Sequence, residues 1–275
     1  MSAEQQVAQH YTHGSLERAI LDAVRAAGKD PDRLSLDDLA PVDEFHIGGR
    51  QATVDLVIQL PFAADQHWLD VGCGLGGASR YIAKTCGCRI SGIDLTEEYV
   101  HVATMLSRRV GLQDRVRYTQ ASALALPFAA ATFDGAYMLH VGMNIADKTR
   151  LFAEVRRVLK PSAPYAIYDV MREAGGEFAY PVPWAAGPET NFIDFADAYQ
   201  RLLKAARFEI AAVRSRRAFA IDFFRAMRAR MAQSGPSPLG LQIVMGTTAP
   251  QKIANMIALL ERGIIAPTEI IARAA

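Results

Sequence analysis

The 275 residues are 51% hydrophobic, enough to bury a large core, and the length suits one elaborated domain better than two. Thirty Lys and Arg stand against 29 Asp and Glu, a formal net charge of +1, which argues against bulk attraction to nucleic acid or an anionic membrane. Cys73, Cys86 and Cys88 offer neither a disulfide framework nor a CxxC zinc pair. With no signal-peptide pattern at the start and no uncharged apolar run near the roughly 18 residues of a membrane span, a cytoplasmic protein is expected.

The first helix is expected over residues 15–27, where Leu16, Ile20, Leu21 and Val24 share a face and Gly28 follows as a stop. Gly48 and Gly49 break the chain before a helix over 51–60. Strand and helix then alternate: strands over 67–72, 89–95, 115–122, 133–139 and 163–171, with helices over 76–87, 97–112 and 147–160, the last capped by Asp147. Such alternation lines the strand C-termini along one sheet edge, where ligands bind. Beyond Val170 a Pro- and aromatic-bearing insertion leads to a helix over 194–206, a strand over 207–215, helices over 218–233 and 251–260, and a last strand over 267–273.

Asp70, Gly72, Gly74 and Gly76 spell D-x-G-x-G-x-G at a strand end just before a helix, a turn in which a ligand lies against bare amides. Asp94 ends the next strand 24 residues later, where a carboxylate accepts hydrogen bonds from both ribose hydroxyls of a nucleoside. In dinucleotide oxidoreductases the loop reads G-x-G-x-x-G, and a carboxylate beside it would repel the pyrophosphate. Asp70 at this place suits a ligand with an ammonium group and no phosphate.

The runs WLDVGCGLGGASRYIA, GIDLT, ALPFAAATFDGAYML and FAEVRRVLKPSAPYAIYD together resemble the ordered motifs of class I S-adenosylmethionine-dependent methyltransferases, over roughly residues 40–170. DEFHIGGRQAT and HVGMNIADK are similar to the branch containing sarcosine/dimethylglycine, quinone and sterol methyltransferases, which act on small molecules. The resemblance implies an α/β fold: a doubly wound, Rossmann-like, mostly parallel seven-stranded sheet with an N-terminal helical lid and helical insertions over the substrate side. It implies one domain over 1–275, with a helical segment at 1–62, a cofactor core at 63–170, and substrate-covering insertions at 171–206 and 218–265.

The implied cofactor is S-adenosylmethionine, with no metal, and the implied partner a small-molecule methyl acceptor. Gly72, Cys73 and Gly74 then lie beneath the methionine and ribose, Asp94 on the ribose, Leu95 against the adenine and Asp70 near the ammonium. Ser122 and Ala123 stand where the family commonly has Asp-Ala, the acid accepting the adenine amino group. His46, beside the Gly48 and Gly49 break, is a candidate for the cofactor carboxylate, and Tyr11 for a lid over the sulfonium. His140, after the fourth strand, is the candidate general base.

Tyr180, Trp184 and Phe192 are candidates to roof the acceptor, and Arg172 to pair with an acceptor carboxylate. Arg108 with Arg109, Arg156 with Arg157 and Arg216 with Arg217 read as solvated faces. Two other readings stand beside methyl transfer: a nicotinamide-dependent oxidoreductase, and a cofactor-binding scaffold without catalysis, for which Ser122 leaves room.

Overall fold

The computed structural model describes residues 1–235 and 237–275. Helices α1 (Ala3–Tyr11), α2 (Leu16–Ala26), α3 (Leu36–Asp43) and α4 (Gly49–Val57) lead into the alternating stretch. That stretch runs β1 (His67–Val71), α5 (Gly77–Cys86), β2 (Arg89–Asp94), α6 (Glu97–Arg109), β3 (Val116–Gln120), β4 (Gly135–Leu139), α7 (Lys148–Val158) and β5 (Pro164–Arg172). Then follow α8 (Ala196–Ala205), β6 (Phe208–Ser215), α9 (Arg217–Ser234), α10 (Gln242–Met245), α11 (Ala249–Glu261) and β7 (Ile265–Ala274).

Among the described residues, seven strands form one sheet in the order β3-β2-β1-β4-β5-β7-β6. The first five pair in parallel, while β7 runs antiparallel to both β5 and β6. The expected mostly parallel sheet is therefore present.

Period-2 alternation gives the sheet two apolar faces. Leu69, Val71, Met138 and Ile167 pack against Leu151, Phe152 and Val155 of α7 and Leu203 of α8. Trp68, Ile90, Tyr137 and Tyr168 face Leu56 of α4 and Ile82 and Ala83 of α5. Each fully buried side chain of this size contributes about 1.5–3 kcal/mol, so these two layers hold the strand ends in place.

The α2 stripe is buried as its spacing predicts: Leu16, Ile20, Leu21 and Val24. Asp147 caps α7, its side chain accepting the Arg150 N–H at 2.9 Å. Two helices lack a strong apolar stripe and are not expected from periodicity. In α1 only Val7 is buried, but a capping box marks the start: Ser2 Oγ accepts the Gln5 N–H at 3.2 Å and Gln5 Oε1 accepts the Ser2 N–H at 2.8 Å. In α3 Ser35 and Asp38 form the same box, and the interior Pro41 obscures it.

The roof forms from far-separated segments. Phe224 of α9 and Met256, Ile257 and Leu260 of α11 pack with Ile47, Met143, Val170 and Trp184. Arg216 is not solvated as expected; its guanidinium is largely covered, in ion pairs with Asp55 and Glu269, and lies 4.2 Å over the Phe219 ring. The three cysteines are free thiols. Among the described residues, no helix is long and apolar enough to cross a membrane.

Candidate active site

The strand order lays four segments side by side at the C-terminal edge: 121–124 after β3, Asp94 and Leu95 at β2, 72–74 after β1, and His140 after β4. The order reverses between β1 and β4, which opens a crevice at that edge. A cavity of about 1600 Å³ begins there and runs under α9, α10 and α11. Ligand pockets commonly measure roughly 300–1,000 Å³, so this one has room for two molecules end to end.

Gly72 has φ +75°, and a Cβ there would come within 2.4 Å of the Val141 side chain. Gly74, φ +53°, lines the cavity, and a Cβ on it would meet no protein atom within 4 Å. Its bare backbone is thus a surface a ligand can approach closely. The Gly74 N–H donates to Asp94 Oδ2 at 2.9 Å and the Thr96 N–H to Oδ1 at 2.9 Å. A carboxylate has about four acceptor positions, so Asp94, also on the cavity wall, keeps lone pairs for a ligand. Burial raises its pKa, and the backbone donors oppose that shift.

His140 lies on the same wall with φ +56°, a region non-glycine residues seldom occupy. Its backbone N–H donates to the Tyr168 carbonyl at 2.7 Å, and its ring lies over Tyr168 at 5.0 Å. Nε2 is buried without a hydrogen-bond partner among the described residues. Burial, reinforced by nearby His46, holds the pKa well below the ordinary value. The ring is therefore neutral at pH 7; the residue borders the cavity, and its Nε2 sits just beneath that surface with no protein partner among the described residues.

His46 also lines the cavity, but its ring is engaged by protein. Nε2 lies 3.1 Å from the Gly49 carbonyl, which only accepts, so this nitrogen carries the proton. Burial pulls its pKa down to about 4.

Three expected contacts lie elsewhere. Asp70 is absent from the cavity wall: alternation along β1 places it on the Trp68 face, where its Oδ2 accepts from Ser79 Oγ at 2.6 Å and Tyr137 OH at 3.0 Å. Burial pushes it up to about 7. It braces the loop against α5 instead of meeting an ammonium group. Cys73 also turns inward, toward Gly92, and burial raises its thiol pKa. Ser122 is off the wall as well; its hydroxyl donates to Glu4 of α1 and accepts the Leu124 N–H at 3.0 Å, while Leu95 and Ala123 do line the cavity.

The N-terminal segment forms part of the cavity wall. Glu98, at the start of α6, accepts the backbone N–H groups of His13, Gly14 and Leu16 at 2.5, 2.9 and 2.8 Å. Tyr11 lines the cavity and donates to Asn144 Oδ1 at 2.9 Å, and His10 Nε2 meets the Pro183 carbonyl at 3.1 Å. Glu4 and Glu98 belong to no motif, and Asn144 falls within the HVGMNIADK run without being singled out by it.

Beyond His140 the wall turns apolar, with Trp184, Phe223, Phe224, Met227, Met245 and Met256. Tyr180 and Phe192 are not on it, and Arg172 lies 4.8 Å over the Phe178 ring instead. Among the described residues, no three His, Cys, Asp or Glu side chains converge as a metal site.

Residues 69–167 match a protein family described as a methyltransferase domain. The match marks these residues as a methyltransferase domain. The O-methyltransferase resE of Aspergillus sclerotiorum is 33% identical over 138 residues, 50% of this chain and 52% of that protein. The chain spans about half the length, or less, of the curated relatives it matches first.

Two solved structures share the fold. The geranyl diphosphate C-methyltransferase of Streptomyces coelicolor A3(2) has a TM-score of 0.72 at 19% identity, covering 100% of this chain and 98% of that one. The (4+2) cyclase SpnF has a TM-score of 0.65 at 22% identity, covering 98% and 95%. The family match, and not Asp70, decides against a dinucleotide oxidoreductase. The methyltransferase domain's edge suits an adenosyl sulfonium: a carboxylate with free lone pairs at Asp94, bare backbone at Gly74, and apolar Leu95 and Ala123 beside them.

Proposed function

We propose that the chain uses S-adenosylmethionine to methylate an apolar small molecule. Residues 1–275 act as one unit in this reading, with the segment at 1–62 as lid, 63–170 as cofactor core, and 171–206 with 218–265 over the acceptor. The observation that carries it is the continuous cavity joining the polar strand edge to an apolar chamber, with His140, whose buried Nε2 has no protein partner among the described residues, at the junction. When bound, the cofactor supplies a methyl group already activated on a positively charged sulfur.

The chain's own residues then orient the reactants and exclude water. Asp94 takes the ribose hydroxyls, Gly72 and Gly74 lie under the methionine chain, and Leu95 and Ala123 flank the base. The 46–49 turn borders the cofactor carboxylate, and Tyr11 closes over the site with its hydroxyl tied to Asn144. Holding two reactants in an attack geometry supplies roughly 7–11 kcal/mol of a barrier. His140 Nε2 takes the proton released by an O–H or N–H acceptor. It gains that charge as the pocket loses the cofactor's charge, so the chamber's net charge is unchanged through the step.

The chamber selects by shape and apolar surface. Met227, Met245 and Met256 are unbranched and adaptable, and Phe223, Phe224 and Trp184 supply broad rings. Free cysteines support a reducing compartment.

Calorimetry with S-adenosylhomocysteine and with NAD tests the cofactor: the first binds and the second does not. Turnover of a labelled methyl donor over a panel of apolar phenols, hydroxylated terpenoids and polar amines tests the rest, with methylation of the apolar members expected. Tight S-adenosylhomocysteine binding with silence across the panel would leave a scaffold or a different reaction on the same fold.

A further inference from the structure

We infer that Glu4, on the N-terminal helix α1, reads the amino group of the cofactor's adenine. This rests on the cofactor reading above. The strand order places the 121–124 loop, Asp94, the 72–74 turn and His140 in line along one edge. A nucleoside whose ribose sits on Asp94, with its chain running toward the glycine turn and His140, extends its base the other way. The base then meets Leu95, Ala121, Ala123 and Leu124, which are apolar side chains on the wall.

Adenine carries a 6-amino donor, and a buried donor without a partner costs about 1–3 kcal/mol. Ser122 does not meet this need, because its hydroxyl proton goes to Glu4, its oxygen already takes the Leu124 N–H, and it is off the wall. Glu4 is on the wall. Ser122 holds its Oε1, and Oε2 makes no hydrogen bond to any described residue. Asp147, another carboxylate lining the cavity, is the N-cap of α7 and is engaged by the Arg150 N–H. The structure thus brings an acid to the base from a helix 118 residues away in sequence, and Ser122 serves as its holder. A consequence is that α1 must be docked for the base to be recognised.

Calorimetry with S-adenosylhomocysteine and S-inosylhomocysteine, which replaces the 6-amino donor by a carbonyl oxygen, tests this on the full chain. The wild type prefers the adenosyl compound by about 10- to 100-fold. Glu4→Ala brings that ratio close to 1, mainly by weakening the adenosyl compound, with the thermal unfolding transition unchanged because Glu4 lies on a solvent-bordering helix. Glu4→Gln, which keeps an acceptor oxygen, retains part of the preference. Ser122→Ala reduces it less than Glu4→Ala does. An unchanged ratio in Glu4→Ala, or a larger loss in Ser122→Ala, overturns the assignment. Absence of S-adenosylhomocysteine binding in the wild type strikes the cofactor reading itself.

Discussion

The two ends of the cavity are built by different means. The strand edge is fixed by backbone: the Gly74 N–H on Asp94, the Thr96 N–H on the same carboxylate, and a Gly72 that no side chain can replace. The far chamber is fixed by side chains alone, with methionines and aromatics from α9, α10 and α11. Backbone geometry admits one ligand shape, whereas a chamber of flexible apolar groups accepts a range of shapes. On the proposed reading, cofactor identity is written into the turns and acceptor identity into the packing.

His140 stands between the two ends, and its replacement gives the largest expected effect. His140→Asn keeps a residue that tolerates positive φ but cannot take a proton. The turnover number should fall by roughly 10²–10⁴ with S-adenosylhomocysteine affinity unchanged. An equal fall in affinity would place His140 in the cofactor site instead. Because burial holds this histidine well below its ordinary pKa, the wild-type turnover number should show no acid limb near pH 6.5. The ring becomes charged only at lower pH, so activity is lost there as pH falls.

Asp94→Ala tests the edge. Loss of charged hydrogen bonds to the ribose should weaken S-adenosylhomocysteine by about 100-fold in calorimetry, with the far-UV circular dichroism retained. Unchanged affinity would show that the ribose is held elsewhere. The smallest effect is expected in the chamber. Phe223→Ala should raise the acceptor KM by about 10-fold, the loss of part of an aromatic contact, and leave cofactor affinity alone. A change in cofactor affinity would mean that the two ends are not separable.

The same contrast explains what the sequence makes legible. Strand, turn and helix around Gly72, Gly74 and Asp94 are local, so residue spacing alone places them. Asp70 shows the limit of that spacing: its place in the motif is plain, but the side on which its carboxylate falls depends on β1 alternation and on Ser79 and Tyr137 waiting on that side. Ser122 is legible as a departure from the family pattern, while its partner Glu4 is not. Helix α1 shows only a capping box and a single buried residue. Among the roof residues Trp184 lines the chamber and Tyr180 does not, a distinction made by packing between distant segments and not by composition.

Strands β6 and β7 are antiparallel neighbours, and residues 216–264, which carry α9, α10 and α11, form the excursion between them. Topologically the chamber's ceiling is a very long hairpin loop with both feet planted in the sheet. Doubling the length of a flexible loop costs only about 0.6 kcal/mol, so insertions in the turns between these helices are tolerated, provided the inward faces that cover Ile47, Met143 and Val170 are kept. A lineage, or an engineer, is free to recut the ceiling for a new acceptor without renegotiating the grip on the methyl donor.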